Sequence, residues 1–89
     1  MEIAFSPEAQ KDLKWWKENG DISSRKKIQK LLEEIAIHPT TGTGKPEQLT
    51  GNYSGCWSRR INKKDRLIYE IHEQFVLVLV LSMRGHYKR

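Results

Sequence analysis

The stretch GCWSRRINKKDRLIYEIHEQFVLVLVLS, residues 55–82, sets most of the topology, because it contains three strand candidates joined by short turns. The patterns of apolar and β-branched residues predict strands at 55–61, 66–72 and 75–82. The connections at 62–65 and 73–74 are short, so neighbouring strands pair as hairpins. The third strand is apolar on both faces, which predicts a position that is central or covered on both sides.

Upstream of this stretch, the sequence predicts one short strand and two helices. Residues 2–5 suit a strand, and Ser6-Pro7 starts a helix, since serine caps the first turn and proline fits its first position. This first helix runs roughly from 7 to 18 and ends at Asn19-Gly20, a stop signal of the left-handed type. The second helix has N-cap candidates at Asp21, Ser23 and Ser24, an apolar stripe at Ile28, Leu31, Leu32 and Ile35, and an end at His38-Pro39.

The order of elements predicts an α+β fold for a single domain spanning residues 1–89. A loop at 39–54, rich in Gly, Pro, Thr and Asn, separates the helices from the last three strands. The order is therefore β-α-α-β-β-β, with the two helices packed on one face of a twisted, mainly antiparallel sheet. The opposite face or its rim is then free to carry Arg59, Arg60 and Arg66 as a basic surface.

The net charge of +5 lies entirely in the second half of the chain. Residues 1–44 hold seven Lys/Arg and seven Asp/Glu, whereas residues 45–89 hold nine and four. This excess suggests either a polyanionic or an acidic protein partner, or simply a solvated surface. A single cysteine excludes a disulfide framework, and no apolar run approaches the ~20 residues of a membrane span, so we expect a cytoplasmic protein.

A carboxylate, guanidinium groups and an imidazole could together cleave RNA without a metal. Glu47 could take a 2′-hydroxyl proton, Arg59, Arg60 or Arg66 could neutralise phosphoryl charge, and His86 could protonate the leaving oxygen. Tyr87 could stack on a base. Each residue also has an interpretation without function. Glu47 could be a solvent-exposed acid, and Arg59 and Arg60 a solvated pair on a strand. Arg66 could pair with Glu70, and His86-Tyr87 could be a frayed terminus. The histidines show no metal-ligand spacing, and Cys56 is expected to be a buried, inert thiol.

Four stretches carry a resemblance to a known family: GKPEQL (44–49), SGCWSRRI (54–61), DRLIYEI (65–71) and the closing HY (86–87). With the matching order of elements, they make the chain resemble the YoeB/Txe toxins of the RelE/ParE toxin–antitoxin superfamily. The resemblance implies a RelE-like fold and ribosome-dependent cleavage of mRNA in the decoding site. It implies no cofactor and no metal. The sequence departs from the family at Thr50, where lysine is common, and in its Lys88-Arg89 extension.

The resemblance also implies roles for individual residues. Glu47 resembles the general base, His86 the general acid and Arg66 the residue that stabilises the transition state. Arg59 resembles a phosphate-binding cation, and Tyr87 the residue that orients the nucleotide or the acid. Weaker RNA or ribosome contacts are implied for Arg60 and Lys45.

The implied partners are the 70S ribosome with its mRNA and a cognate acidic antitoxin of the YefM/Axe type, with no membrane. The resemblance leaves open a homodimer or a toxin–antitoxin hetero-oligomer. Two other functions are kept as alternatives. One is a ParE-like gyrase poison without nuclease activity, and the other is a basic nucleic-acid-binding module, which would bind with a steep salt dependence but without turnover.

Overall fold

The computed structural model describes residues 1–81 of the chain. The elements in chain order are β1 (Glu2–Phe5), α1 (Pro7–Asn19), α2 (Ile22–Ile37), β2 (Glu47–Gln48), β3 (Trp57–Arg60), β4 (Arg66–Ile71) and β5 (Phe75–Val80), with a 3₁₀ turn at Gly51–Tyr53. No helix in this range is both long and apolar enough to cross a bilayer.

The strands form one sheet in the order β1-β5-β4-β3-β2. β1 runs parallel to β5, and the other neighbours are antiparallel, so the predicted α+β class is confirmed. β5 lies between β1 and β4, as its two apolar faces predict. The structure adds β2 to the predicted order of elements. Two residues are too few to show a strand period, and β2 lies inside a stretch whose Gly and Pro content predicts a loop.

Ser6 fixes the start of α1 to the sheet. Its hydroxyl accepts a hydrogen bond from Ala9 N at 3.0 Å and donates one to Leu79 O at 2.7 Å. Its own N–H donates to Val78 O at 2.9 Å. The predicted cap is therefore confirmed, and the same side chain joins the first helical turn to β5.

The turn between the helices differs from its prediction. Gly20 has φ −74° and extended backbone, so the expected left-handed stop is wrong. Its N–H donates to Trp16 O, and a Cβ atom at this position would lie 2.4 Å from Trp16 Cε3. Glycine is needed here because the indole packs against it. Asp21 then caps α2 by accepting from Ser24 N at 2.9 Å.

Most of the apolar core lies between the helices and one face of the sheet. It includes Trp16, Leu31, Ile35, Leu67, Tyr69, Val76 and Val78. The opposite face carries a smaller cluster of Leu49, Cys56 and Ile68, with Tyr53 and Leu79 packed against it. Burial raises the pKa of the Cys56 thiol, which fits the expected inert cysteine. The helix-free face is therefore only partly apolar, which leaves room for polar side chains near β2 and β3.

Candidate active site

Glu47, Arg60 and Arg66 lie together on the helix-free face of the sheet, one on each of three adjacent strands. The β2–β3 register places Glu47 opposite Ser58, and the β3–β4 register places Arg60 opposite Arg66. Because side chains alternate along a strand, Ser58 and Arg60 share one face of β3. The sheet thus brings together a carboxylate and two guanidinium groups that follow it by 13 and 19 positions in the chain.

The Glu47 carboxylate is paired but accessible. Glu47 Oε1 lies 3.8 Å from Arg66 Nη1, and the two side chains are 59% and 27% exposed. A pair this open contributes little to folding, so it leaves both groups available to a ligand. The alternative partner of Arg66 is occupied elsewhere, since Glu70 Oε1 lies 3.1 Å from His72 Nε2.

Arg60 and Arg66 face each other directly across two strands. Like charges in this arrangement disfavour the sheet. Arg60 is exposed and makes no ion pair with any residue in 1–81. Two guanidinium groups side by side provide planar sets of donors that match phosphate oxygens. The pair therefore suits an anionic ligand that bridges it.

Lys45 lies in the turn that leads into β2. It is exposed, and its φ of 53° is in the left-handed region that side chains other than glycine rarely adopt. Its side chain is therefore accessible to a ligand, and its backbone conformation forms part of the turn that leads to Glu47.

Arg59 lies on the other face of the sheet, away from Glu47, and is 0% exposed. All five of its N–H donors are used within the protein. Nε donates to Tyr69 Oη, Nη1 to Glu34 Oε1 and Thr43 O, and Nη2 to His38 O and Thr41 O. A guanidinium in this arrangement has no donor left for phosphate. The geometry therefore gives Arg59 a structural role, and Arg60 is the arginine of the pair that reaches the open face.

Glu34 completes the surroundings of Arg59. Its carboxylate accepts from Thr43 N at 2.8 Å, from Thr43 Oγ1 at 2.7 Å and from Arg59 Nη1 at 3.2 Å. The hydrogen bonds from Thr43, together with the Arg59 charge, hold the pKa of Glu34 below its ordinary value of 4.5. The ionised carboxylate thus fastens the loop that follows α2.

Acidification is expected to weaken folding through Glu34. A carboxyl whose pKa is lowered by folding stabilises the protein above its unfolded value of 4.5, and this contribution is lost as the pH falls through the folded value. Urea unfolding of the wild type and of Glu34→Gln between about pH 6 and about pH 3 should show a smaller pH-dependent loss in the variant. Equal losses would contradict this assignment.

Chain-wide similarity assigns the family. A sequence model of the YoeB-like toxins of bacterial type II toxin–antitoxin systems matches residues 5–87. The chain belongs to this family. A toxin YoeB from Synechocystis sp. is 44% identical over 89 residues, which is 100% of both chains. The protein is thus a type II toxin of the YoeB family, as the sequence motifs predict.

Solved structures of YoeB toxins share the fold. The YoeB dimer of Staphylococcus aureus is 36% identical and covers 100% of this chain and 98% of its own, with a TM-score of 0.84. The heterotetrameric YoeB–YefM toxin–antitoxin complex of the same organism is also 36% identical, with the same coverage and a TM-score of 0.82.

Ser58 lies opposite Glu47 on the helix-free face, and no role was predicted for it from the sequence. Its Oγ is buried, and among residues 1–81 it is the buried side-chain polar atom without a hydrogen-bond partner. Buried polar atoms are normally paired, so an unpaired hydroxyl opposite Glu47 stands out. The signal was present in the sequence, because the alternation that puts Arg60 on the open face also puts Ser58 there.

The predicted residues His86 and Tyr87 lie outside the described residues, so their assignments rest on the sequence motif alone. Within residues 1–81, no group of three or more His, Cys, Asp or Glu side chains is arranged to hold a metal ion.

Proposed function

We propose that this YoeB-family toxin is a ribosome-dependent endoribonuclease that cleaves mRNA and thereby inhibits translation. The observation that supports this most strongly is the accessible Glu47 carboxylate beside Arg66, with Arg60 opposite Arg66. A base next to two phosphate-binding groups on an open face is the arrangement that RNA cleavage by its own 2′-hydroxyl needs.

In the proposed reaction, Glu47 accepts the proton of a ribose 2′-hydroxyl. The 2′-oxygen attacks the adjacent phosphorus, and the bond from phosphorus to the 5′-oxygen breaks. Arg66 stabilises the negative charge that develops on the phosphoryl oxygens. His86 donates a proton to the leaving 5′-oxygen, and Tyr87 orients the nucleotide or the acid. The products are a 2′,3′-cyclic phosphate and a 5′-hydroxyl.

Binding of the RNA backbone is proposed for Arg60 and Lys45. Arg60 takes the role first expected of Arg59, because Arg60 is exposed beside Arg66 whereas Arg59 is enclosed. Lys45 adds a cation two positions before Glu47. Both are expected to raise affinity for the ribosome-bound message without taking part in proton transfer.

The proposed regulator is an acidic antitoxin of the YefM type. The net charge of +5 suits an acidic partner, and the similar toxin of S. aureus occurs in a YoeB–YefM complex and as a dimer. We extend both modes of assembly to this protein. Its substrate places its action in the cytoplasm, where translation occurs.

The proposal is tested with purified 70S ribosomes programmed with a defined mRNA. Primer extension should detect new 5′ ends in the decoding site when the protein is added, and none when ribosomes are omitted. A folded protein that arrests growth but leaves the message intact on ribosomes would contradict the proposal and favour the gyrase-poison alternative.

A further inference from the structure

We propose that Arg59 is a positioning residue for Glu47, acting through the loop between α2 and β2 without touching the substrate. This inference rests on the proposed function, since it assigns Glu47 to catalysis. It explains why a fully buried guanidinium lies on the strand next to the proposed catalytic groups.

The guanidinium lies in a set of acceptors that we call the Arg59 cage. The cage consists of Tyr69 Oη, Glu34 Oε1 and the carbonyl oxygens of His38, Thr41 and Thr43, at 2.5–3.2 Å from the Arg59 nitrogens. Five donors thus meet five acceptors. Three of the acceptors are backbone groups from a six-residue segment, so this part of the loop is wrapped around one side chain.

Tyr69 and Glu34 fasten the same loop at further points. The Tyr69 hydroxyl donates to Pro39 O at 2.7 Å while it accepts from Arg59 Nε. Burial raises the pKa of Tyr69, so the phenol stays protonated and keeps this donor. Glu34 receives both the N–H and the hydroxyl of Thr43. The Arg59 cage therefore holds the loop from both β4 and α2.

The backbone of the loop is fitted closely to the cage. Gly42 has φ 122°, and a Cβ atom there would lie 2.6 Å from Glu34 Oε1 and 3.1 Å from Arg59 Nη1. Gly44 has φ 86°, and a Cβ atom there would lie 3.2 Å from Arg59 Cβ. Both positions require glycine for their conformation and for the close approach of the chain.

The end of the loop that the Arg59 cage holds is only a few residues from Glu47. Gly44 O accepts from Arg60 N at 2.7 Å, and Lys45 then takes its left-handed conformation before β2 begins. β2 is two residues long, so its own pairing with β3 is a weak restraint. The position of Glu47 therefore depends on the Arg59 cage as well as on the sheet.

Two substitutions each remove hydrogen bonds in or next to the Arg59 cage while the Arg59 guanidinium stays in place. Tyr69→Phe keeps the ring but removes the acceptor for Arg59 Nε and the donor to Pro39 O. Thr43→Val removes the hydroxyl that donates to Glu34. Asp21→Ala is the matched control, because it removes the cap at the N-terminus of α2, at the far end of that helix from the loop.

Cleavage of mRNA on programmed ribosomes is measured for each folded variant, and kcat is separated from KM. Tyr69→Phe is expected to lower kcat about tenfold or more with KM unchanged, because small displacements of a catalytic group slow the chemical step. Thr43→Val should have a smaller effect in the same direction. Asp21→Ala should keep the wild-type kcat, although it lowers stability. Folded cage variants that keep the wild-type kcat, or an equal loss in Asp21→Ala, would overturn the proposal.

A second readout is independent of activity. Leu49 N donates to Cys56 O at 2.9 Å, directly after β2. Hydrogen exchange at Leu49 should therefore become faster in Tyr69→Phe than in Asp21→Ala, when both are compared at equal global stability. Unchanged protection would overturn the positioning role. If the wild type itself fails to cleave mRNA while Leu49 exchange responds as expected, the proposed function fails and the structural link between the cage and β2 stands.

Discussion

Glu47→Gln is expected to lower the single-turnover rate constant for mRNA cleavage by about 10²–10⁴-fold, the usual contribution of a general base. The amide has nearly the shape of the carboxylate, but it cannot accept a proton from a 2′-hydroxyl. Glu47 is 59% exposed and its pair with Arg66 is open, so folding should be almost unaffected. The substitution thus separates chemistry from stability.

The rate is measured in single-turnover reactions with excess protein over programmed ribosomes. Glu33→Gln is the matched control, because Glu33 is an exposed carboxylate on α2 that accepts only a long hydrogen bond, 3.5 Å, from Gln29 Nε2. It should cleave at the wild-type rate. Wild-type cleavage by folded Glu47→Gln would remove Glu47 from the mechanism.

Arg59→Met is expected to lower the free energy of unfolding by about 3–5 kcal/mol, because several acceptors around a fully buried guanidinium lose their donors and each unpaired acceptor costs about 1–3 kcal/mol. The loss leaves Glu34 without its cationic partner and three loop carbonyls without the N–H donors of Arg59. In a chain of 89 residues, this should lower Tm by roughly 10 °C or more. Urea and thermal unfolding followed by circular dichroism measure both quantities.

Arg60→Met is the matched comparison on the adjacent residue. Arg60 is exposed and faces Arg66, so its removal should leave stability within about 0.5 kcal/mol of wild type while raising KM for programmed ribosomes. If Arg59→Met folded as stably as wild type and only weakened RNA binding, the buried role of Arg59 would be contradicted and its first assignment as a phosphate ligand restored.

The elements of this fold with strong local signals could be predicted from sequence. Ser6-Pro7 and Asp21 cap the helices as expected, because capping depends on side chains within one turn. β2 could not be predicted, since a two-residue strand exists only through its pairing with β3. The extended conformation of Gly20 depends on the packing of Trp16, which is a tertiary contact.

The same holds for the candidate site: residues in motifs were predicted from sequence, whereas the burial of individual side chains was not. Motif resemblance selected Glu47 and Arg66, and the sheet places them within 3.8 Å of each other. Deciding which of Arg59 and Arg60 is available to bind phosphate required knowing which face of β3 packs against the helices. A signal for it was available, because Arg59 lies two positions from both Trp57 and Ile61, and an apolar residue on each side at strand period indicates the core face.

A message with a single 2′-deoxynucleotide at the mapped cleavage site is the decisive test of cleavage through the 2′-hydroxyl. The protein should cleave the all-ribose message on 70S ribosomes and fail to cleave the substituted one, since the attacking 2′-oxygen is absent. Cleavage of both messages at this site with equal rates would contradict RNA cleavage through the 2′-hydroxyl, and with it the role of Glu47 as the base.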